Sequence, residues 1–579
     1  MDKKLSIHTE RIDDIPILLA QVYRMDLGIL LDQHFPTHGN WLGLSLGMVT
    51  EVWLAYILSE GDHRMSPVQQ WVEGHVDLLE TFTDTTVRAL DFSDDRLAAI
   101  LDALGTDNRW EPFEVALNRH TFRVYDLQKD RVRIDSSTAS RFVTVTPDGL
   151  CQLGHSKDGR PDLPQVKINM STLDPLGLPL TITVVSGEKA DDPLYLPEIR
   201  KVQATLEKSG VTYVGDSKMA ALETRATIAG SNDFYLCPLP NVQMPKSELE
   251  KILAPVWDKT QALTPINRPS DDPNATPDTV AEGFSFEVVK TTIVDGQTLS
   301  WSERRFVVLS FKFADSQADA LRKRLDKAIE EIEKLNERRQ GKKCFTAETE
   351  LRNFVDAIIK KYRIEGLLVL TYEIQQQEHT KRRYLNRPAR SEVTTFVSVS
   401  VQVDEDAKAH AIRQMGWRVY VTNQADLTLE QTVLAYREQY LIERGFRRLK
   451  DKPLSLTPMY LDSDQRIKGL IRLLTIALRV LILLEFQVRQ SLRQTGEKLA
   501  GLYPGNPRRS TANPTAEMML RVFRGITTTY LWGEGTEGSY VTPLSATQQR
   551  ILALLDIPPL IYTCFEWHSS EPALKMSEP

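Results

Sequence analysis

The sequence predicts a mixed α/β fold that is interrupted by an insertion and flanked by helical regions. Three observations carry this reading. Between residues 128 and 240 the hydrophobic pattern runs as three strands, a helix, a strand, a helix and a strand. From residue 241 to about 416 that order stops, and strands surround two helices with apolar seams. Residues 1 to about 127 have helical spacing, and a long helical stretch follows the last strand, Arg418–Val421.

Composition sets the outer bounds. The chain has 579 residues, with 41% hydrophobic and 26% charged, an ordinary globular balance. Its net charge of −7 excludes a globally basic nucleic-acid binder, so any polyanionic partner must meet a local patch. Cys151, Cys237, Cys344 and Cys564 are scattered, with no C-x-x-C pair, which predicts neither a zinc site nor a disulfide framework and fits a reducing cytoplasm. The N-terminal MDKKLSIHTERIDD lacks the apolar core of a signal peptide. The most apolar run, Gly469–Leu484, contains Arg472 and Arg479 and is expected to be a buried amphipathic helix rather than a membrane span.

Taken in order, residues 1–127 form a predicted helical N-terminal domain, with apolar clusters in Ile17–Met25, Leu42–Leu58 and Leu97–Leu104. Residues 128–240 are the first part of the core. Val132–Ser137, Val166–Leu173 and Leu178–Val185 are predicted strands of an antiparallel meander. Leu194–Ser209 is a helix stopped at Gly210, and Thr212–Gly215 is a short strand that runs into Asp216. A helix (Lys218–Ile228) and a strand (Phe234–Pro238) complete the order, which is that of an RNase H-like domain with the fourth strand beside the first. That layout brings Asp135 and Asp216 to one sheet edge. Each Asp alone is equally well explained as a helix or turn cap; together they suit a hard divalent cation.

Residues 241–416 are the insertion domain. Pro255–Pro277 is expected to be a loop, and Phe284–Ile293 and Leu299–Phe311 to be strands. The helix Ala318–Arg338 carries a seam of Leu321, Leu325, Ile329, Ile332 and Leu335, against which a second helix, Thr346–Tyr362, packs as a hairpin. The strands Leu367–Glu373 and Val393–Val401 flank a basic loop of Lys381, Arg382, Arg383, Arg387 and Arg390, which suits either a DNA backbone or solvent. Residues 417–500 resume the core, and 501–579 form a C-terminal region with one expected helix, Thr515–Phe523, and no assigned role.

The stretch Tyr436–Lys450, YREQYLIERGFRRLK, carries the chemistry. Read as one helix, it places Tyr436, Tyr440, Glu443, Arg447 and Lys450 on a single stripe. One reading is a solvated Glu443–Arg447 salt-bridge face; the other is a metal-binding carboxylate among phosphate-holding groups. From Arg437 to Lys498 there are 13 Lys/Arg against 7 Asp/Glu, a local excess of cations on an acidic chain, interleaved with aromatic residues.

This constellation resembles the DDE transposases of bacterial insertion sequences, in the subgroup with the signature Y-x2-R-x3-E-x6-K. Tyr436, Glu443 and Lys450 fit that signature, while Gln439 stands at the arginine position. Asp135 in VRIDSSTAS and Asp216 in YVGDSKM match the first two carboxylates, and Gly154–Met170 is similar to the segment such enzymes place between the first strands. The resemblance spans roughly Arg131–Leu484. It implies a catalytic and metal-binding triad of Asp135, Asp216 and Glu443 that holds two Mg²⁺ or Mn²⁺ ions. It also implies DNA-phosphate contacts from Tyr436, Arg437, Arg447 and Lys450, and offers Trp417 by position for a displaced base, although a core role suits that residue better. The implied partners are double-stranded DNA, namely inverted-repeat ends and target, and a second copy of the chain. The implied location is the cytoplasm, with no membrane association. The same resemblance raises DNA-end binding by the N-terminal domain. The alternatives are another RNase H-like nuclease and a catalytically silent DNA-binding relative.

Overall fold

The computed structural model describes residues 5–269, 276, 278–337, 343–381, 390–533 and 537–568. By internal contacts the chain divides into two compact units: residues 1–237, 291–301 and 435–579 form the first, and residues 238–290 and 302–434 the second.

In the first unit a five-stranded mixed sheet carries the candidate site. Its strands are β1 (Arg131–Ser140), β2 (Gln165–Leu173), β3 (Leu178–Ser186), β4 (Thr212–Val214) and β5 (Phe234–Pro238), in the order β3-β2-β1-β4-β5. β1–β2 and β2–β3 pair antiparallel. β1–β4 and β4–β5 pair parallel. All nine residues of β2 are buried. Val166, Ile168 and Met170 alternate with Lys167, Asn169 and Ser171, and the polar set is buried as well, so the strand is covered on both faces.

Helices α1 (Tyr195–Leu206) and α2 (Leu222–Gly230) link the parallel strands. α2 starts later than the expected Lys218, because Asp216–Ala220 form a turn in which Asp216 Oδ1 accepts the Lys218 N–H at 2.8 Å. The expected single helix over Tyr436–Lys450 is instead two: α3 (Leu429–Arg437) and α4 (Tyr440–Lys450), with a turn at Glu438–Gln439. The helix α5 (Asp464–Thr495) is the centre of the unit. It is buried on nearly all sides from Gly469 to Glu485, rather than amphipathic. Its two arginines are held: Arg479 donates to Asn118 Oδ1 (2.9 Å) and to the Leu180 carbonyl (2.8 Å), and Arg472 donates to the Leu104 carbonyl (2.8 Å) and to Asp107. At Gly469 a Cβ would lie 2.0 Å from the Leu101 carbonyl oxygen, so glycine is what lets α5 touch the helix Asp94–Leu104.

The N-terminal region is helical as expected, except that Ser6–Arg11 is a strand pairing with Thr527–Trp532. The tail after residue 500, expected to hold one helix, contributes the strands Thr527–Trp532 and Gly538–Val541 and a capped helix, Ala546–Leu554, besides Ala516–Arg521. Among the described residues no helix is long and apolar enough to cross a membrane.

In the second unit the strand Trp417–Thr422 pairs antiparallel with Gln297–Ser310. Part of the expected loop Pro255–Pro277 is ordered, as the end of the helix Lys246–Trp257 and the strand Thr264–Asn267. The helices Phe311–Glu333 and Glu348–Tyr362 pack through Leu321, Leu325, Ile332, Leu351, Val355 and Ile358, as their seams predict. Leu368–Lys381 and Arg390–Val403 pair in a separate long hairpin. Of the basic residues expected in a loop here, Lys381 and Arg390 end these strands, and Arg382, Arg383 and Arg387 lie outside the described residues. Trp417 is buried in a core cluster with Val307 and Leu253.

Candidate active site at the sheet edge

Strand register brings the first two carboxylates together. In the parallel pair β1–β4, Arg133 lies opposite Val214. Asp135 is two positions past Arg133 and Asp216 two past Val214, so both leave neighbouring strands at one level. Their mutual field registers in the titration of Asp135. Burial pushes its pKa up to about 6, the Lys157 ammonium and the Ser136 N–H work against that rise, and the Asp216 charge adds to it. Asp135 Oδ1 accepts the Ser136 N–H at 2.8 Å and lies 3.5 Å from Lys157 Nζ. Asp216 Oδ1 accepts from Tyr195 Oη at 2.7 Å, and burial together with the two carboxylates holds that phenol well above its ordinary pKa. Two half-buried carboxylates side by side, each offering oxygen ligands, are a donor set that fits a hard divalent cation.

α4 carries the third element. Ile442, Gly445, Phe446 and Leu449 are buried, while Glu443 and Arg447 are exposed. Gly177, with φ +68°, turns β2 into β3 directly under this helix, and a Cβ there would meet the Leu441 carbonyl oxygen at 3.2 Å. At the far end of α4, Lys450 Nζ donates to Ser137 Oγ on β1 at 2.9 Å and to Asp158 Oδ1 at 2.5 Å. The signature residues therefore do not share one stripe. Tyr436 is half-buried and Arg437 exposed on α3, and Glu443, Arg447 and Lys450 lie on α4. Gln439, at the arginine position, is the residue before α4, and its side-chain carbonyl is buried with no hydrogen-bond partner.

Asp135 and Asp216 are thus adjacent, and Lys450 reaches the strand that carries Asp135. Among the described residues the trio whose ligand atoms all lie within 4.8 Å of one another is His8, Glu10 and Asp77; Asp135, Asp216 and Glu443 do not form such a trio. Sequence reasoning missed Lys157, Tyr195 and Asp191. Lys157 lies inside the segment Gly154–Met170, so its motif was visible but its target was not. Asp191 accepts from Ser136 Oγ (2.8 Å) and Lys167 Nζ (2.8 Å), and no sequence signal marks it.

Residues 154–480 match the family model described as a transposase DDE domain. That is more than half of the chain, and the chain belongs to this family. The matched span contains Asp216 and Glu443 and begins beyond Asp135. Among solved structures the chain is similar to a piggyBac transposase in a synaptic complex with hairpin DNA, at 8% identity and a TM-score of 0.33, covering 88% of this chain and 79% of that one. No curated protein matches it.

Proposed function

We propose that this protein is the transposase of a bacterial insertion sequence, with an RNase H-like core split by an insertion at residues 241–416. It binds the inverted-repeat ends of its element as a homodimer and catalyses metal-dependent DNA cleavage and strand transfer, acting in the cytoplasm on chromosomal DNA. The observation that carries the reading is the register placing Asp135 and Asp216 at one level on adjacent strands, in a chain of the transposase DDE family.

In this reading Asp135, Asp216 and Glu443 hold two Mg²⁺ or Mn²⁺ ions. Such ions, when bound, supply positive charge at the phosphorus and at its entering and leaving oxygens. The chain's own residues do the rest. Tyr195 fixes one oxygen of Asp216, and the Ser136 N–H fixes one of Asp135, so both carboxylates are oriented before substrate arrives. Lys450, Tyr436, Arg437 and Arg447 hold backbone phosphates on either side of the scissile bond, by charge-assisted contacts that carry no sequence information. Water is the first nucleophile and a DNA 3′-hydroxyl the second, each displacing an oxygen in line.

The test is cleavage of a duplex ending in the element's inverted repeats, with Mg²⁺ or Mn²⁺ present. Cleavage followed by strand transfer is expected, with loss of both in Asp135→Ala, Asp216→Ala and Glu443→Ala. Retained cutting in any of the three sinks the site assignment. Cutting without strand transfer marks a plain nuclease, and binding without cutting a silent DNA-binding relative.

A further inference from the structure

The segment Gly154–Pro164 has no task in the chemistry above, yet two consecutive side chains of it reach the site residues. Lys157 Nζ donates to the Ser136 carbonyl (2.6 Å) and Ser136 Oγ (2.9 Å) and lies 3.5 Å from both Asp135 Oδ1 and Asp191 Oδ2. Its ammonium thus sits among oxygens on the strand of the first carboxylate. The next residue, Asp158, takes Lys450 at 2.5 Å. The Lys157 and Lys450 side chains are themselves only partly exposed, 27% and 20%. The turn does not need the Asp158 carboxylate, because the N–H groups of Asp158 (3.2 Å) and Arg160 (3.1 Å) both go to Ser156 Oγ, and the Lys157 N–H goes to Thr138 Oγ1 (2.9 Å).

We propose that Lys157–Asp158 is an internal placeholder that closes the site in the absence of DNA: Lys157 compensates the charge of Asp135, and Asp158 occupies Lys450 where a backbone phosphate binds. This rests on the reading of Lys450 as a phosphate contact. A phosphate that shares the ammonium with the Asp158 carboxylate meets like-charge repulsion, so DNA binds Lys450 better once Asp158 has moved away. The contact is an autoinhibitory one, and it lowers affinity for DNA that is not otherwise well placed.

The experiment measures binding of the full chain to a labelled random-sequence duplex by fluorescence anisotropy in EDTA at fixed salt. Lys450→Met is expected to bind more weakly than the wild type. Asp158→Asn is expected to bind about two- to fivefold more tightly, the range set by release of a partly exposed ion pair. The double variant should match Lys450→Met alone, because the gain exists only through Lys450. Asp162→Asn, which removes a nearby charge paired with Arg160, serves as the control for net charge. Asp158→Ser replaces Asp158→Asn if the amide disturbs the turn. If Lys450→Met weakens binding but Asp158→Asn does not tighten it, or tightens it no more than Asp162→Asn, the placeholder is overturned and the phosphate role of Lys450 stands. If the double variant still gains from Asp158→Asn, the placeholder is likewise overturned. If wild type and Lys450→Met bind alike, both readings fall.

Discussion

The Arg133 guanidinium donates to the backbone carbonyl of Ala435, the acceptor that a continuous helix would give to the Gln439 N–H. The Gln439 N–H turns instead to the Tyr436 carbonyl at 3.1 Å, and the helix breaks there. Arg133 is fully buried and also holds Asp174 at 2.8 Å and Glu438 at 3.3 Å. One side chain on β1 thus sets where α4 begins and, with it, where Glu443 stands.

Arg133→Met is therefore expected to destabilise the chain by about 3–5 kcal/mol, because it leaves Asp174 buried without its partner. Chemical denaturation measures this. A loss of less than about 1 kcal/mol, the range of surface pairs, would mean that the network is not structural.

Glu485 ties α4 to α5. It accepts from Arg444 (2.8 Å), Arg448 and the Ala516 N–H (3.1 Å) and forms an ion pair with Arg489 at 3.0 Å, while almost fully buried. Glu485→Ala leaves buried arginine charge uncompensated and is expected to lower stability by about 3–5 kcal/mol. Arg489→Ala, which leaves Glu485 two other arginines, should cost clearly less. Equal losses would contradict the view that Glu485 is the hub.

Tyr195→Phe removes the hydroxyl that fixes Asp216 and leaves the ring in place. Cleavage is expected to fall by about tenfold, equivalent to about 1.4 kcal/mol, with the melting temperature nearly unchanged. An unaltered rate would show that Asp216 needs no such support.

Glu51 provides a pH prediction away from the site. Burial pushes its pKa from 4.5 up to about 8, against the Gly28 N–H that it accepts at 2.8 Å. The folded chain keeps a proton that the unfolded chain releases above 4.5, so this contribution to stability is lost as pH rises towards 8. Between pH 6 and 8 the wild type should lose about 2 kcal/mol more stability than Glu51→Gln, which is neutral throughout. Parallel stability curves for the two proteins would refute the assignment.

Some elements were legible because their patterns are local. Val166–Leu173 reads as a strand from its alternation of apolar and polar residues, and the seam Leu321–Leu325–Ile332 reads as a helix face, and both form as such. The tail was not legible, since Thr527–Trp532 gains its stability by pairing with Ser6–Arg11 from the other end of the chain. The break in Tyr436–Lys450 was invisible for the same kind of reason: Arg437, Glu438 and Gln439 all favour helix, and the residue that contacts the break lies on a strand three hundred positions earlier.

The sequence by itself determined the residue types available for chemistry: Asp135 and Asp216 at strand ends, and Glu443 and Lys450 seven apart. It also determined family membership, through the match of residues 154–480 to the transposase DDE domain. Only the tertiary structure decided which of them meet. The parallel register of β1 with β4 puts Asp135 and Asp216 side by side, and the buried Arg133 splits the predicted helix so that Tyr436 and Glu443 fall on different elements. It also brought Lys157 onto Asp135 and Asp158 onto Lys450. The physical reason is range. Propensity and periodicity act over a few residues, whereas strand register and buried charge pairs join groups that the chain order leaves far apart.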